Sequence, residues 1–257
     1  MGKKLRLSRI STNGRFVTVP MDHGVSMGPI KGIVDPISTV YSVAEAGATA
    51  VFLHKGLARM LTTAPCGLIL HLSASTSMAS DPNAKVLVAG VEDAIRLGAD
   101  AVSIHVNVGA HTEEEMLADL GIVSSTCEEW GLPLVAMMYP RGPGIDNPFD
   151  PDLVAHAARL GAELGADVIK TSYTGDTDSF EKVIEGCPVP VIIAGGPRCD
   201  TPRDTLEMVR GALDAGSQGV AFGRNVFSCE DPGTMVRALR AIIVDDVSVD
   251  EGLEVMG

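Results

Sequence analysis

The sequence predicts an α/β fold, a single (β/α)8 TIM barrel, and three observations predict it. One helix-to-strand corner recurs four times: Ala46-Gly47-Ala48-Thr49, Leu97-Gly98-Ala99-Asp100, Leu164-Gly165-Ala166-Asp167 and Ala215-Gly216-Ser217-Gln218, each followed by an apolar run. Glycine there supplies the left-handed turn that takes a helix into a strand. Eight β-type runs alternate with helical patterns, which argues for a parallel sheet. The length of 257 residues matches the ~250 of a one-domain barrel. An open doubly wound sheet would use the same alternation, but eight units at this length favour closure. No linker divides the chain, so residues 1–257 read as one domain with a short polar tail at 245–257.

The predicted strands cover about 16–22, 50–55, 67–73, 101–108, 133–139, 167–172, 189–195 and 219–223. The first helix opens at Asp35-Pro36, an N-cap followed by a proline suited to the first turn. Val91 to Leu97 forms the helix before the fourth strand. Thr112 followed by Glu113, Glu114 and Glu115 places carboxylates at a positive helix end. Asp150-Pro151, Thr201-Pro202 and Asp231-Pro232 open three more helices, and Glu181 to Glu185 reads as a shorter one. Residues 56–66 read as irregular, and Lys85 to Ala89 as a short extra strand. Ser248 and Glu251 can cap a last helical turn.

A net charge of −13 argues against nucleic acid or an anionic membrane as partner. It leaves room for an anionic substrate, because a few local cations and N–H groups can reverse the field. Cys66, Cys127, Cys187, Cys199 and Cys229 are scattered and odd in number, the pattern of reduced cytoplasmic thiols. No stretch reaches the ~18 apolar residues of a membrane span, and no signal-type run follows the basic start.

Barrel chemistry sits at the C-terminal ends of the strands. Those ends read Met21-Asp22-His23-Gly24, His54-Lys55-Gly56, His71-Leu72-Ser73, His105-Val106-Asn107, Tyr139-Pro140-Arg141-Gly142, Lys170-Thr171-Ser172, Gly195-Gly196-Pro197 and Gly223-Arg224-Asn225. A lysine ending a buried strand is either the first residue of an exposed loop or a desolvated amine able to attack a carbonyl. Convergence of eight polar ends on one rim favours the second. The glycines after strands seven and eight fall where barrels commonly bind phosphate, and Arg224 can clamp an anion; as plain turn residues they would need no ligand. Asp22 and Tyr139 can move protons beside a Schiff base, or merely cap a turn and stack. The rival is a metal site built from His23, His54, His71 and His105, which lack HxH or HExxH spacing. Lys55 is the lesser candidate nucleophile.

Met21 to Gly32, Met138 to Gly142, Val168 to Gly175, Ala194 to Pro197 and Gly223 to Phe227 resemble the archaeal class I aldolase family, of the DeoC/fructose-bisphosphate aldolase type, over nearly the whole chain. The segment Leu61 to Gly67 is shorter than in those relatives. The resemblance implies a (β/α)8 barrel and a cytoplasmic Schiff-base transaldolase that needs no cofactor or metal. It would take 6-deoxy-5-ketofructose 1-phosphate, excise a phosphorylated three-carbon piece and join the remainder to L-aspartate semialdehyde. The resulting aminodideoxyheptulosonate would serve 3-dehydroquinate and aromatic amino acid synthesis. By motif, Lys170 is the Schiff-base lysine, Tyr139 the proton donor and Asp22 the acceptor. Asp22, His23, Gly24, Val25, Ser26, Tyr139, Pro140, Arg141, Lys170, Thr171, Ser172, Gly195, Gly196, Gly223 and Arg224 would contact the sugar phosphate. The family implies a homo-oligomer, a decameric ring. Class I fructose-bisphosphate aldolase is the alternative, and a non-catalytic sugar-phosphate-binding barrel is the alternative of a different class.

Overall fold

The computed structural model describes residues 2–196 and 199–257; Pro197, quoted above at the seventh strand end, lies outside them. The chain begins with α1 (Gly2–Leu7), β1 (Phe16–Pro20), α2 (His23–Met27) and α3 (Pro36–Glu45). Then come β2 (Ala50–Leu53), α4 (Lys55–Ala58), β3 (Gly67–His71), β4 (Ser73–Ala74), β5 (Val86–Leu87) and α5 (Val91–Arg96). The middle holds β6 (Ala101–Val108), α6 (Glu113–Trp130), β7 (Leu134–Pro140), α7 (Pro151–Glu163), β8 (Val168–Ser172) and α8 (Thr177–Gly186). The chain ends with β9 (Val191–Ala194), α9 (Pro202–Asp214), β10 (Gly219–Ala221), α10 (Arg224–Phe227), α11 (Pro232–Val244) and α12 (Val249–Glu254). Eight parallel strands close in the order β1-β2-β3-β6-β7-β8-β9-β10, and β10 pairs back onto β1. This is the single (β/α)8 barrel the sequence predicts. β4 and β5 form a small antiparallel ribbon that leaves the top of β3.

The predicted helix starts at Asp35, Asp150, Thr201 and Asp231 are N-caps whose side chains accept backbone N–H groups. Ser248 and Glu251 form the expected capping box, and α12 packs back on the body with Gly252 against Ile242. Thr112 makes no side-chain cap. α8 starts four residues earlier than predicted, because Asp176 Oδ1 accepts from Ser179 N at 2.9 Å. α1, α2, α4 and α10 are new; each has six residues or fewer, too short to show a helical period.

The recurring corner does two jobs. Its glycines sit at φ 101° (Gly47), 72° (Gly98), 96° (Gly165) and 102° (Gly216), where a side chain would be strained. Two residues on, three corners then cap the preceding strand of the barrel. Thr49 Oγ1 accepts from Val17 N (3.1 Å), Asp100 Oδ2 from Leu68 N (3.1 Å) and Asp167 Oδ2 from Leu134 N (2.9 Å). In the fourth corner Ser217 takes over and donates to Val191 O at 3.1 Å. The N-terminal segment is tied to the same base: Lys3 pairs with Asp167 at 3.1 Å and Arg9 with Asp100 at 3.3 Å. These bonds bring Leu7 and Ile10 against the inner core, where they plug the bottom of the barrel.

Two cores result. One lies between strands and helices; the other fills the barrel with Phe16, Phe52, Ile69, Val135, Met137 and Val168 among others. Side chains alternate along a strand, so inner residues continue upward in steps of two. Val168 leads to Lys170, Met137 to Tyr139, Phe52 to His54 and Ile69 to His71. The same parity runs from Phe16 through Thr18 and Pro20 to Asp22.

Removing the Asp167 carboxylate strands Leu134 N and takes one of two acids from Lys3. Asp167→Ala is therefore expected to cost about 1–3 kcal/mol, the loss of a partly buried charged acceptor. Urea unfolding measures it; an unchanged midpoint would show that the base does not depend on this cap.

Candidate active site

The strand ends and the ribbon enclose a cavity of about 350 Å³ at the mouth of the barrel. Its wall includes Asp22, His23, Ser26, Tyr139, Arg141, Lys170, Gly195, Gly196, Gly223 and Arg224, ten of the expected contacts. Gly24 and Val25 are exposed on α2, Pro140 is buried in β7, and the Thr171 hydroxyl faces outward to donate to Met138 O at 2.8 Å. None of these four, nor Ser172 at the end of β8, lines the cavity. Lys55 also lies outside it, 3.9 Å from Asp93.

Lys170 is the cavity floor. It is 7% exposed, and its Nζ lies 3.9 Å from Met137 Sδ and 5.5 Å from the centre of the Phe52 ring. Among the described residues no carboxylate is within ion-pairing distance of it. The nearest compensation is the field of Asp22 and the face of an aromatic ring.

Asp22 sits among imidazoles. Its Oδ2 is 3.7 Å from His71 Nε2, its Oδ1 is 3.6 Å from His23 Nδ1, and Oδ1 is buried without a hydrogen bond. Burial alone pushes its carboxyl up, but the positive charges that His71, His23, Lys170 and His54 carry when protonated hold it well below the usual carboxylate range. Asp22 is thus an anion aimed into the cavity. The histidines behave in the opposite sense. Burial pulls His71 down to about 4, and His23, His54 and His105 are lowered by burial as well. They are neutral hydrogen-bonding groups at pH 7. His71 Nδ1 bonds Ser103 Oγ at 2.8 Å, His105 Nε2 bonds Asn107 Oδ1 at 2.9 Å, and His54 packs edge-on against His71. Among the described residues no three His, Cys, Asp or Glu side chains are grouped to hold a metal ion.

The β9 and β10 loops form one wall. The Asn225 side chain locks them together, donating to Gly195 O at 2.9 Å and accepting from Cys199 N at 2.8 Å. Gly223 must be glycine, since a Cβ would fall 2.5 Å from His23 Cε1 and 2.8 Å from Pro20 O. Arg224 Nη2 donates to Gly196 O at 2.6 Å, while its Nε is buried without a partner.

Of the opposite wall the sequence reading names only Ser73, at the third strand end, and Lys85, as the start of a short extra strand. Ser73, Ser75, Thr76, Ser77, Asn83 and Lys85 belong to the ribbon and line the cavity. Ser77 N to Ser26 O (3.0 Å) and Asn107 Nδ2 to Asn83 O (2.7 Å) pin that ribbon to α2 and β6. The length of the β3–α5 connection was the available signal, because connections beyond about 12–15 residues are usually functional. A buried amine, an ionised carboxylate and a phenol around one concave space can add to a carbonyl and move protons.

Comparison with known proteins agrees with this geometry. Residues 16–229 match the family model described as DeoC/LacD family aldolase. The chain is 45% identical over 255 residues to 2-amino-3,7-dideoxy-D-threo-hept-6-ulosonate synthase of Halobacterium salinarum, covering 98% of this chain and 95% of that protein. It is 44% identical over 248 residues to 2-amino-4,5-dihydroxy-6-oxo-7-(phosphonooxy)heptanoate synthase of Streptomyces griseus, covering 94% and 90%. Among solved structures, an archaeal fructose-1,6-bisphosphate aldolase, with its catalytic lysine covalently bound to the carbinolamine intermediate, superposes with a TM-score of 0.89 at 33% identity, covering 94% of this chain and 99% of that one. By motif, by full-length identity and by barrel geometry, the chain belongs to the DeoC/LacD family of aldolases.

Proposed function

We propose that the protein is a Schiff-base transaldolase that makes 2-amino-3,7-dideoxy-D-threo-hept-6-ulosonate from 6-deoxy-5-ketofructose 1-phosphate and L-aspartate semialdehyde, a step toward 3-dehydroquinate and the aromatic amino acids. The observation that carries it is Lys170, an amine 7% exposed on the floor of the mouth cavity that also holds Asp22 and Tyr139. The 45% identity to a synthase with that product name supports the choice of reaction.

Lys170 Nζ adds to the C5 ketone, and loss of water leaves an iminium that withdraws electrons from the adjacent carbon. Removal of the C3 hydroxyl proton breaks the C3–C4 bond; the phosphorylated aldehyde leaves and the electron pair stays as an enamine. The enamine carbon then attacks the aldehyde of the semialdehyde, the new alkoxide takes a proton, and water releases the ketone from Lys170. In this scheme Tyr139 donates protons and Asp22, held ionised, accepts them. His23, Ser26 and Arg141 contact the substrate from the cavity wall, and Gly195, Gly196, Gly223 and Arg224 enclose the half that stays on the lysine. Gly24, Val25, Pro140, Thr171 and Ser172 shape the backbone that carries these groups. The same proposal places the enzyme in the cytoplasm as a homo-oligomer, a decameric ring, which sedimentation can test.

Class I cleavage of fructose 1,6-bisphosphate is the second reading, favoured by the 0.89 superposition on an aldolase of that substrate. Product assays separate the two. Conversion of 6-deoxy-5-ketofructose 1-phosphate with L-aspartate semialdehyde is expected to exceed cleavage of fructose 1,6-bisphosphate; the reverse order would replace the first reading by the second.

Lys170→Arg is expected to be folded and inactive, because arginine stays protonated and cannot add to the ketone. Borohydride with donor should leave no adduct in that variant and one adduct, at Lys170, in the wild type; retained turnover would remove Lys170 from the mechanism. Tyr139→Phe should still form the trapped adduct while turnover falls by roughly 10²–10⁴, the usual share of proton transfer. Wild-type kcat in that variant would assign the proton to another group.

A further inference from the structure

The cavity has a cationic patch to which the scheme above assigns no particular part of the substrate. Lys85, on the ribbon before β5, and Arg141, just past β7, face the same space. Neither has a carboxylate within 4 Å among the described residues. Lys85 Nζ is held by neutral oxygens instead, Ser75 Oγ and, at 2.9 Å, Pro82 O. The Arg141 guanidinium stacks 4.4 Å above the Tyr139 ring. Burial, and then the charge of Arg141, draw the Lys85 amine down to about 8. The same two cations, after burial, hold His105 neutral. Two cations held by neutral oxygens and an aromatic ring at the edge of a solvent-open cavity suit an anionic ligand.

We propose that Lys85 and Arg141 form a subsite for the anionic tail of the electrophile, holding first the phosphate of the departing aldehyde and then the α-carboxylate of L-aspartate semialdehyde. The assignment rests on the transaldolase reading. The deoxy product ends in a methyl group, so the half kept on Lys170 carries no phosphate. The phosphate must leave with the electrophile. Departing and arriving aldehydes bond to the same enamine carbon, so their tails extend the same way. In the departing fragment the phosphorus is four bonds from the aldehyde carbon; in the semialdehyde the carboxylate carbon is three bonds away. One patch can therefore serve both in turn. Tyr139 fixes the direction: as donor to the new alkoxide it lies on the electrophile side, and Arg141 covers its ring. The wall of Gly196 and Arg224 across the cavity then faces the retained half, the half that carries a phosphate in the product name of the Streptomyces griseus relative.

The test compares L-aspartate semialdehyde with propanal, an acceptor lacking the anionic tail, in wild type, Lys85→Gln and Lys85→Arg. Lys85→Gln should lower kcat/KM for the semialdehyde by roughly 10–100-fold, the loss of one charge-assisted contact. The propanal value should change far less, and Lys85→Arg should keep most of the preference. Equal losses for both acceptors, or no loss for either, overturn the subsite. If the wild type cleaves fructose 1,6-bisphosphate but ignores the semialdehyde, the transaldolase reading fails instead. The subsite is then read as the preference for fructose 1,6-bisphosphate over fructose 1-phosphate, which Lys85→Gln should erase. Borohydride trapping of the donor reports that the variant is folded. Should it not fold, inhibition of the wild type by inorganic phosphate decides: competition with the semialdehyde supports the subsite, and its absence overturns it.

Discussion

An ammonium group taken out of water must be compensated or neutralised, and Lys170 meets that constraint with little help. It rests on Met137 and Phe52, and its compensation comes through space from Asp22. Asp22 is in turn kept ionised by its surroundings, so that the two groups share one field without forming a tight pair. The neutral histidines follow from the same arrangement. Buried next to Lys170, Lys85 and Arg141, a further positive charge is disfavoured, and His71 and His105 act as hydrogen-bonded supports to Ser103 and Asn107.

The barrel separates the work of holding itself together from the work of its site. At the base, Thr49, Asp100 and Asp167 cap neighbouring strands, Lys3 and Arg9 pair with two of those carboxylates, and Ile10 seals the inner core. At the mouth, charges lack such matched partners: Asp22 Oδ1 and Arg224 Nε are buried without hydrogen bonds. Unsatisfied polar atoms cost stability, and a satisfied base lets the fold carry them where substrate can reach.

Much of this was legible in the sequence because it is local. The helix-ending glycines, the Asp-Pro and Thr-Pro starts and the eight β-type runs each express a backbone preference within a few residues. Four short helices, α1, α2, α4 and α10, were not legible; at six residues or fewer they show no helical period. Lys85 was visible only as part of a strand, with nothing nearby in sequence to mark it. Its neighbours in the cavity, Arg141 and Asp22, are 56 and 63 residues away.

The sequence by itself determined the architecture and singled out Lys170 as the candidate nucleophile, because turn chemistry and strand-end composition are set by neighbouring residues. Tertiary structure alone decided which side chains share the space around Lys170. Closing eight strands places Asp22 beside His71 and folds the ribbon over the rim, bringing Lys85 toward Arg141. Charge interactions depend on distance and burial rather than on order along the chain. The protonation states and the second cationic patch therefore exist only once the cylinder has closed.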